Sequence, residues 1–224
     1  MKASFIVGYG GTEVIRYGDL PDPVMQKNQI LIEVKAVSIN PVDYKTISGI
    51  IRIVSGFKFP KIIGSDYAGV IMNVGSEVTG LKPGDRVYGS SPVIFRKPGM
   101  LAQYAAIDPK YARIMPDSMT FEEASSLPIA ALTALNGLRK GGVNEGKAVL
   151  VNGATGGVGH FAVQIAKADG SYVTATCSKE NAEFAKQLGA DEVIGYSREE
   201  LKKTERKFDS IMDPLNGITL SAKY

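Results

Sequence analysis

The residues of this chain most suited to chemistry are its small ones. Residues 147–159, KAVLVNGATGGVG, pass from an apolar strand pattern through a glycine-rich turn into a helical pattern. In a six-residue frame Ala154 takes the first small position, and Gly156 and Gly159 take the other two. Small residues let the backbone approach a pyrophosphate closely, and a helix N-terminus offers free N–H groups and partial positive charge to meet it. Thr155, Gly157 and Val158 complete the stretch that would face a dinucleotide. The competing reading is a tight strand-to-helix turn with no ligand. The strand before it, the helix after it and a second strand in place favour binding.

Nicotinamide cofactors divide on the residue that ends the second strand, about 20 positions past the glycines, where an acid would bond the ribose 2′-hydroxyl. This chain has Thr176-Cys177-Ser178-Lys179 there. The hydroxyl of Ser178 and the ammonium of Lys179 suit a 2′-phosphate, so NADPH is expected over NADH. A plain exposed lysine is the other reading of Lys179, at a helix start where the dipole disfavours a cation unless an anion is near. Tyr196, at the end of a third strand, either closes the same pocket or is a surface tyrosine. Both readings stand.

These groups need elements to hold them. Residues 1 to about 115 read as short strands, such as 30–37, 68–74 and 85–88, punctuated by Gly75, Gly80, Pro83, Gly84 and Gly89. That spacing predicts a compact, mostly β domain closing as a barrel. Residues 121–139 carry Ala and Leu at helical spacing. Strands at 148–152, 172–176, 192–196 and 208–212 then alternate with helices at 157–168, 179–188 and 198–203. Alternation of this kind builds a parallel sheet with right-handed crossovers, a doubly wound α/β unit. The expected domains are 1–118 and 119–224.

Bulk composition narrows the partners. Of 224 residues, 44% are hydrophobic and 22% charged, enough for a globular core. A net charge of +3, spread without a basic block, argues against nucleic acid. No segment approaches the roughly 20 unbroken apolar residues of a bilayer span, so no membrane partner is expected. One cysteine, Cys177, permits no internal disulfide, and the first residues carry no signal-like apolar run. A cytoplasmic location is the expectation. The same cysteine lacks a histidine placed in sequence to activate it, and the only histidine, His160, opens the helix after the glycine turn.

Four segments together resemble the medium-chain dehydrogenase/reductase superfamily, specifically its zinc-independent quinone oxidoreductase branch, which includes ζ-crystallin and plant enone and alkenal reductases. They are AVSINPVDYK at 36–45, IGSDYAGV at 63–70, LKPGDRV at 81–87 and the NGATGGVG turn. The resemblance covers nearly all of residues 1–213. It implies a GroES-like β-barrel domain followed by a Rossmann domain, with the active site in the cleft between. Where zinc-dependent relatives have a ligand cysteine this chain has Asn40, and where they have a His-Glu pair it has Ser65-Asp66. No metal is expected, and four clustered thiolates for a structural zinc are not available.

The chemistry so implied is hydride transfer from NADPH to a quinone or an α,β-unsaturated carbonyl, with negative charge developing on the carbonyl oxygen. By resemblance the 40–45 loop faces the nicotinamide. Lys45 is then the leading electrophilic or proton-donating group and Tyr44 the second, while Asn40 orients the nicotinamide ribose or the substrate. Asp43 holds the loop or pairs with Lys45. Asn40-Pro41-x-Asp43 is also a good turn and helix cap, and that reading is favoured for Asp43. Thr133, in the helix leading to the second half, either touches the cofactor or bonds its own helix backbone. Ile47, Ile50, Ile51, Val54 and Phe57 suggest an apolar substrate wall, with 90–100 as a second one. Relatives continue past the fourth Rossmann strand, and complete ones form homodimers. A truncated and inert nucleotide-binding fragment is therefore the alternative expectation.

Overall fold

The computed structural model describes residues 1–95, 97–195 and 206–215. Tyr196 and the helix expected at 198–203 lie outside the described residues. Two compact units divide the chain, Met1–Ile129 and Ala130–Tyr224.

The first unit opens with β1 (Lys2–Ile6) and β2 (Ile15–Asp19), followed by β3 (Ile30–Ser38), α1 (Pro41–Ile47), α2 (Arg52–Ser55), β4 (Lys61–Ile62) and β5 (Asp66–Val74). It continues through β6 (Arg86–Ser90), β7 (Tyr104–Ile107), β8 (Ala112–Ile114) and α3 (Phe121–Ser126). Two antiparallel sheets result, in the orders β2-β1-β4 and β7-β3-β5-β6-β8. They join through an isolated bridge between Ala3 and Ala102 and through the Ser4 N–H on the Leu101 carbonyl at 2.7 Å. The expected barrel is thus assembled from two sheets, with no single continuous ladder among the described strands. β3 and β5 pair along their length with register shifts at Leu31/Ile32 and Val34/Ala36, the irregularities by which a ladder bends. Ile30 and Ile32 point inward at the two-residue period of a strand and pack with Tyr67, Ile71, Val87, Met100 and Ile107. The unit reaches past the expected boundary at 118 because Ala124 of α3 packs with Ala68 and Met115.

α4 (Pro128–Lys140) leads into the second unit, which holds β9 (Ala148–Val151), α5 (Gly157–Ala168), β10 (Tyr172–Cys177), α6 (Ala182–Gln187), β11 (Glu192–Gly195) and β12 (Ser210–Met212). Residues 121–139, expected as one helical stretch, are therefore two helices. Pro128 has no N–H to continue the ladder and crowds the turn before it, so α3 stops and α4 starts afresh. The expected helix at 179–188 begins as a single 3₁₀ turn, Lys179–Asn181, before α6. All strand pairs in this sheet are parallel, in the order β11-β10-β9-β12. Its core joins Val149, Val151, Val173 and Ala175 to Ala162, Val163 and Ala166 of α5.

Candidate active site

In the second unit the chain order of the strands is three, two, one, four, so the direction of winding reverses between β9 and β12. A doubly wound sheet opens a crevice at the carboxyl ends of its strands at that reversal. The glycine turn follows β9 directly and delivers the chain to α5, whose N-cap Gly156 makes no side-chain capping bond. The first-turn N–H groups of Gly157, Val158 and Gly159 are ones an α-helix leaves without internal partners.

Backbone geometry explains the small residues. A Cβ on Gly159 would lie 2.1 Å from the Gly153 carbonyl oxygen and 2.9 Å from the Ala154 Cα, so this glycine lets the turn fold back on itself. A Cβ on Gly157 would meet nothing within 4 Å. Gly157 therefore leaves open space at the helix start, as a cradle for a pyrophosphate requires. Ala154 is fully buried and donates its N–H to the Thr176 carbonyl at 2.9 Å. Its side chain belongs to the core, and its backbone belongs to the turn.

A polar network that the sequence reading missed fixes the turn. Thr176 Oγ1 donates to Asn152 Oδ1 at 2.6 Å and accepts the Gly153 N–H at 3.1 Å. Asn152 Nδ2 donates to Asp213 Oδ1 at 2.7 Å, and that oxygen also accepts the Leu215 N–H at 3.2 Å. The ends of β9, β10 and β12 are tied together around the crevice. Only a polar residue at each strand end hinted at this, because the partners are far apart in the chain.

At the end of β10, Ser178 is half-buried and Lys179 exposed. The Glu180 carboxylate, also missed, is held below its usual range by its own backbone N–H, the Ser178 hydroxyl and the nearby Lys179 ammonium. Asn181 Nδ2 reaches Thr155 Oγ1 at 3.5 Å and so links this loop to the glycine turn. Thr133 is exposed on α4. His160 places Nδ1 3.0 Å from the Gly156 carbonyl oxygen, and its ring lies against Phe161. Cys177 is 1% exposed, and burial raises its thiol pKa, which disfavours the thiolate a nucleophile requires.

In the first unit, the segment named a loop by resemblance is a helix over 41–47 with Pro41 in its first turn, in keeping with the helix-cap reading favoured for Asp43. Asn40 and Asp43 form a capping box in which the Asp43 carboxylate accepts the Asn40 N–H at 2.7 Å. Asp43 also accepts the Ser65 hydroxyl at 2.9 Å. Neither bond involves Lys45. Asn40, 9% exposed, donates Nδ2 to Asp66 Oδ2 at 3.0 Å, and the same oxygen accepts the Ile129 N–H from the first turn of α4 at 2.9 Å. Asp66 is fully buried, and its Oδ1 has no hydrogen-bond partner among the described residues. Burial raises the pKa of both acids, opposed by the donors around each, and the Asp43 charge raises that of Asp66 further.

Asn40 is thus engaged with Asp66 and Ser65 with Asp43. Among the described residues no three His, Cys, Asp or Glu side chains cluster as a metal site. Tyr44 and Lys45 face outward on α1, Tyr44 at 56% exposure. Neither the Tyr44 hydroxyl nor the Lys45 ammonium has a partner among the described residues.

A GroES-like domain followed by a Rossmann-type nucleotide-binding domain is the class that this architecture defines. Residues 26–117 match the family described as "Alcohol dehydrogenase GroES-like domain", and 157–224 match "Zinc-binding dehydrogenase". The chain is 39% identical over 223 residues to the 2-methylene-furan-3-one reductase of Solanum lycopersicum, covering 95% of itself and 56% of that protein. With the chloroplastic quinone-oxidoreductase homolog of Spinacia oleracea it shares 36% identity, covering 99% of this chain and 70% of the relative. The quinone oxidoreductase of Coxiella burnetii superposes with a TM-score of 0.89 at 36% identity, over 95% of this chain and 68% of that one. The Escherichia coli quinone oxidoreductase complexed with NADPH gives 0.80 at 30% identity, over 90% and 60%. The chain belongs to the medium-chain dehydrogenase/reductase superfamily, in its quinone oxidoreductase branch. It spans 56% to 70% of the length of these two curated relatives.

Proposed function

We propose that this protein is a zinc-independent oxidoreductase that transfers hydride from NADPH to a quinone or an α,β-unsaturated carbonyl. The observation that carries the reading is the open, uncapped N-terminus of α5 at the reversal of the parallel sheet, flanked by Ser178 and Lys179. Ala154, Thr155, Gly156, Gly157, Val158 and Gly159 would hold the pyrophosphate, and Ser178 and Lys179 the 2′-phosphate. When bound, the dihydronicotinamide supplies a hydride to the β-carbon of the acceptor.

Negative charge then develops on the acceptor's carbonyl oxygen, and the α-carbon takes a proton. Lys45 is assigned to the oxygen, because its ammonium is exposed and uncommitted, and Tyr44 is the second donor. Asn40 orients its surroundings: its amide is engaged by Asp66, which leaves it a positioning residue. Absence of zinc is supported by the engagement of Asn40 with Asp66 and of Ser65 with Asp43, and by a total of one cysteine and one histidine. Half-buried Ile47 and Ile51 suit an apolar acceptor.

The test is NADPH oxidation by the purified chain against a panel of quinones, alkenals and enones, with a chelator present. We expect turnover that exceeds that with NADH and that Lys45→Ala lowers about a hundredfold in kcat, the usual contribution of a positioned acid–base group. Absence of oxidation with every acceptor would sink the proposal.

A further inference from the structure

From Tyr44 to Ser65 the chain carries Lys45, Arg52, Lys58 and Lys61 and no acid. The acids that bound this run, Asp43 and Asp66, are 1% and 0% exposed, so they contribute little at the surface. Large apolar side chains of the same run face solvent: Ile50 is 73% exposed, Ile53 82% and Phe57 67%. They belong to one built surface. Tyr9 packs edge-on against Phe57 and Phe59, with ring centroids 6.2 and 5.0 Å away. Its hydroxyl meets Ser55 Oγ at 2.9 Å and the Gly56 carbonyl. The Gly10 N–H donates to the Ile47 carbonyl at 3.0 Å. These contacts hold the loop after α1, and α2, on the body of the unit. Phe95, 61% exposed, lies in the Val93–Phe95 turn that packs on α2.

A fixed surface that holds apolar tips out to water has a cost unless something covers it, and here its charge is mainly positive, with the Glu13 carboxylate at its edge beside Gly10 and Gly11. Two kinds of partner compete. Protein interfaces are depleted in lysine, whereas three of the four cations here are lysines. Interfacial membrane binding instead combines exposed apolar side chains with Lys and Arg that meet anionic headgroups. We propose that residues 44–61 of the first unit, with Phe95, dock on an anionic lipid surface, inserting Ile53 and Phe57 while Arg52 and Lys58 meet the headgroups. No helix among the described residues is long and apolar enough to cross a membrane. Docking of this kind requires none, so a membrane partner is proposed here against the sequence expectation. Tyr44, Lys45, Ile47 and Ile51 of this run belong to the acceptor site assigned above, and vesicle uptake is a readout that does not depend on that activity.

The experiment is co-sedimentation of the full chain with vesicles of phosphatidylcholine alone or mixed with phosphatidylglycerol, at low and high salt. Uptake on the mixed vesicles, weakened by salt and far lower on phosphatidylcholine alone, is expected. Arg52→Ala and Lys58→Ala should each lower the partition coefficient about fivefold, the effect of one cation near a charged surface. Ile53→Ser with Phe57→Ser should lower it about tenfold or more, from lost apolar burial. Arg52, Ile53 and Lys58 are exposed and their variants should melt as the wild type does; Phe57→Ser also removes the ring contact with Tyr9, so Ile53→Ser alone, which should still lower uptake, separates lost insertion from a loosened loop. Equal uptake on both vesicles, wild-type uptake by the serine variant, or self-association without vesicle uptake would overturn the proposal.

Discussion

Asp66 is a fully buried carboxylate in the first unit. One of its oxygens accepts the Asn40 amide and the Ile129 N–H, and the other has no hydrogen-bond partner. Asp66→Ala removes the acceptor shared by the Asn40 amide and the Ile129 N–H, at a cost of about 2–4 kcal/mol. Asp66→Asn keeps one acceptor oxygen for them and removes the buried charge. Because burial raises the native pKa of Asp66, the unfolded chain loses this proton first as pH rises. Stability from this group therefore declines from about pH 4, the usual aspartate value, up through the raised native pKa. The melting temperature of Asp66→Asn relative to wild type should climb across that window, and a flat difference curve would refute the assignment. At the end of β10 the relevant residue is Glu180. Ser178 and Lys179 both favour its charged form, so the carboxylate would compete with a 2′-phosphate for them. Glu180→Gln should tighten NADPH roughly two- to fivefold, as expected for an exposed charge pair, and leave NADH nearly unchanged. Titration of both nucleotides reads this directly.

Among the elements, the glycine turn separates two demands that the sequence motif merges. Gly159→Ala drives a methyl into the Gly153 carbonyl and should destabilise the second unit by several kcal/mol, in the range of overpacked or strained sites. Gly157→Ala meets nothing in the protein. It should fold normally yet bind NADPH at least tenfold more weakly, because the methyl occupies the proposed place of the pyrophosphate. Equal stability loss in both variants, measured by denaturant titration, would contradict this division. The turn was legible in the sequence because its chemistry is local: strand, small residues and helix are consecutive, and α5 spans the expected 157–168. The network of Asn152, Thr176 and Asp213 was not legible, because only the parallel register sets their strand ends side by side. Asn40-Pro41-x-Asp43 was legible as a turn or a helix cap, which share a composition; Pro41 and the Asp43 capping bond make it the start of a helix. At residues 121–139 periodicity outweighed Pro128, whose missing N–H divides the stretch.

For the whole molecule, each unit has its own apolar core. One is built on β3 and β5, the other on β9, β10 and α5. The residues proposed to hold the pyrophosphate and 2′-phosphate lie in the second unit, so ligand binding there must appear as stability of that unit. At a hundredfold excess over its Kd, NADPH adds about 2.7 kcal/mol to any folded state that binds it, provided the unfolded chain does not. If the second unit melts on its own, a domain of its size should move by roughly 10 °C or more. If the two units melt together, the same free energy is spread over a larger unfolding entropy, and the shift should fall to about half that. Calorimetry with and without NADPH distinguishes these cases, and Gly157→Ala supplies the control, since a tenfold weaker Kd should cut the shift to about half or less without lowering the ligand-free melting temperature. A full shift in Gly157→Ala would mean that NADPH is held elsewhere, and no shift in the wild type would remove the nucleotide site altogether.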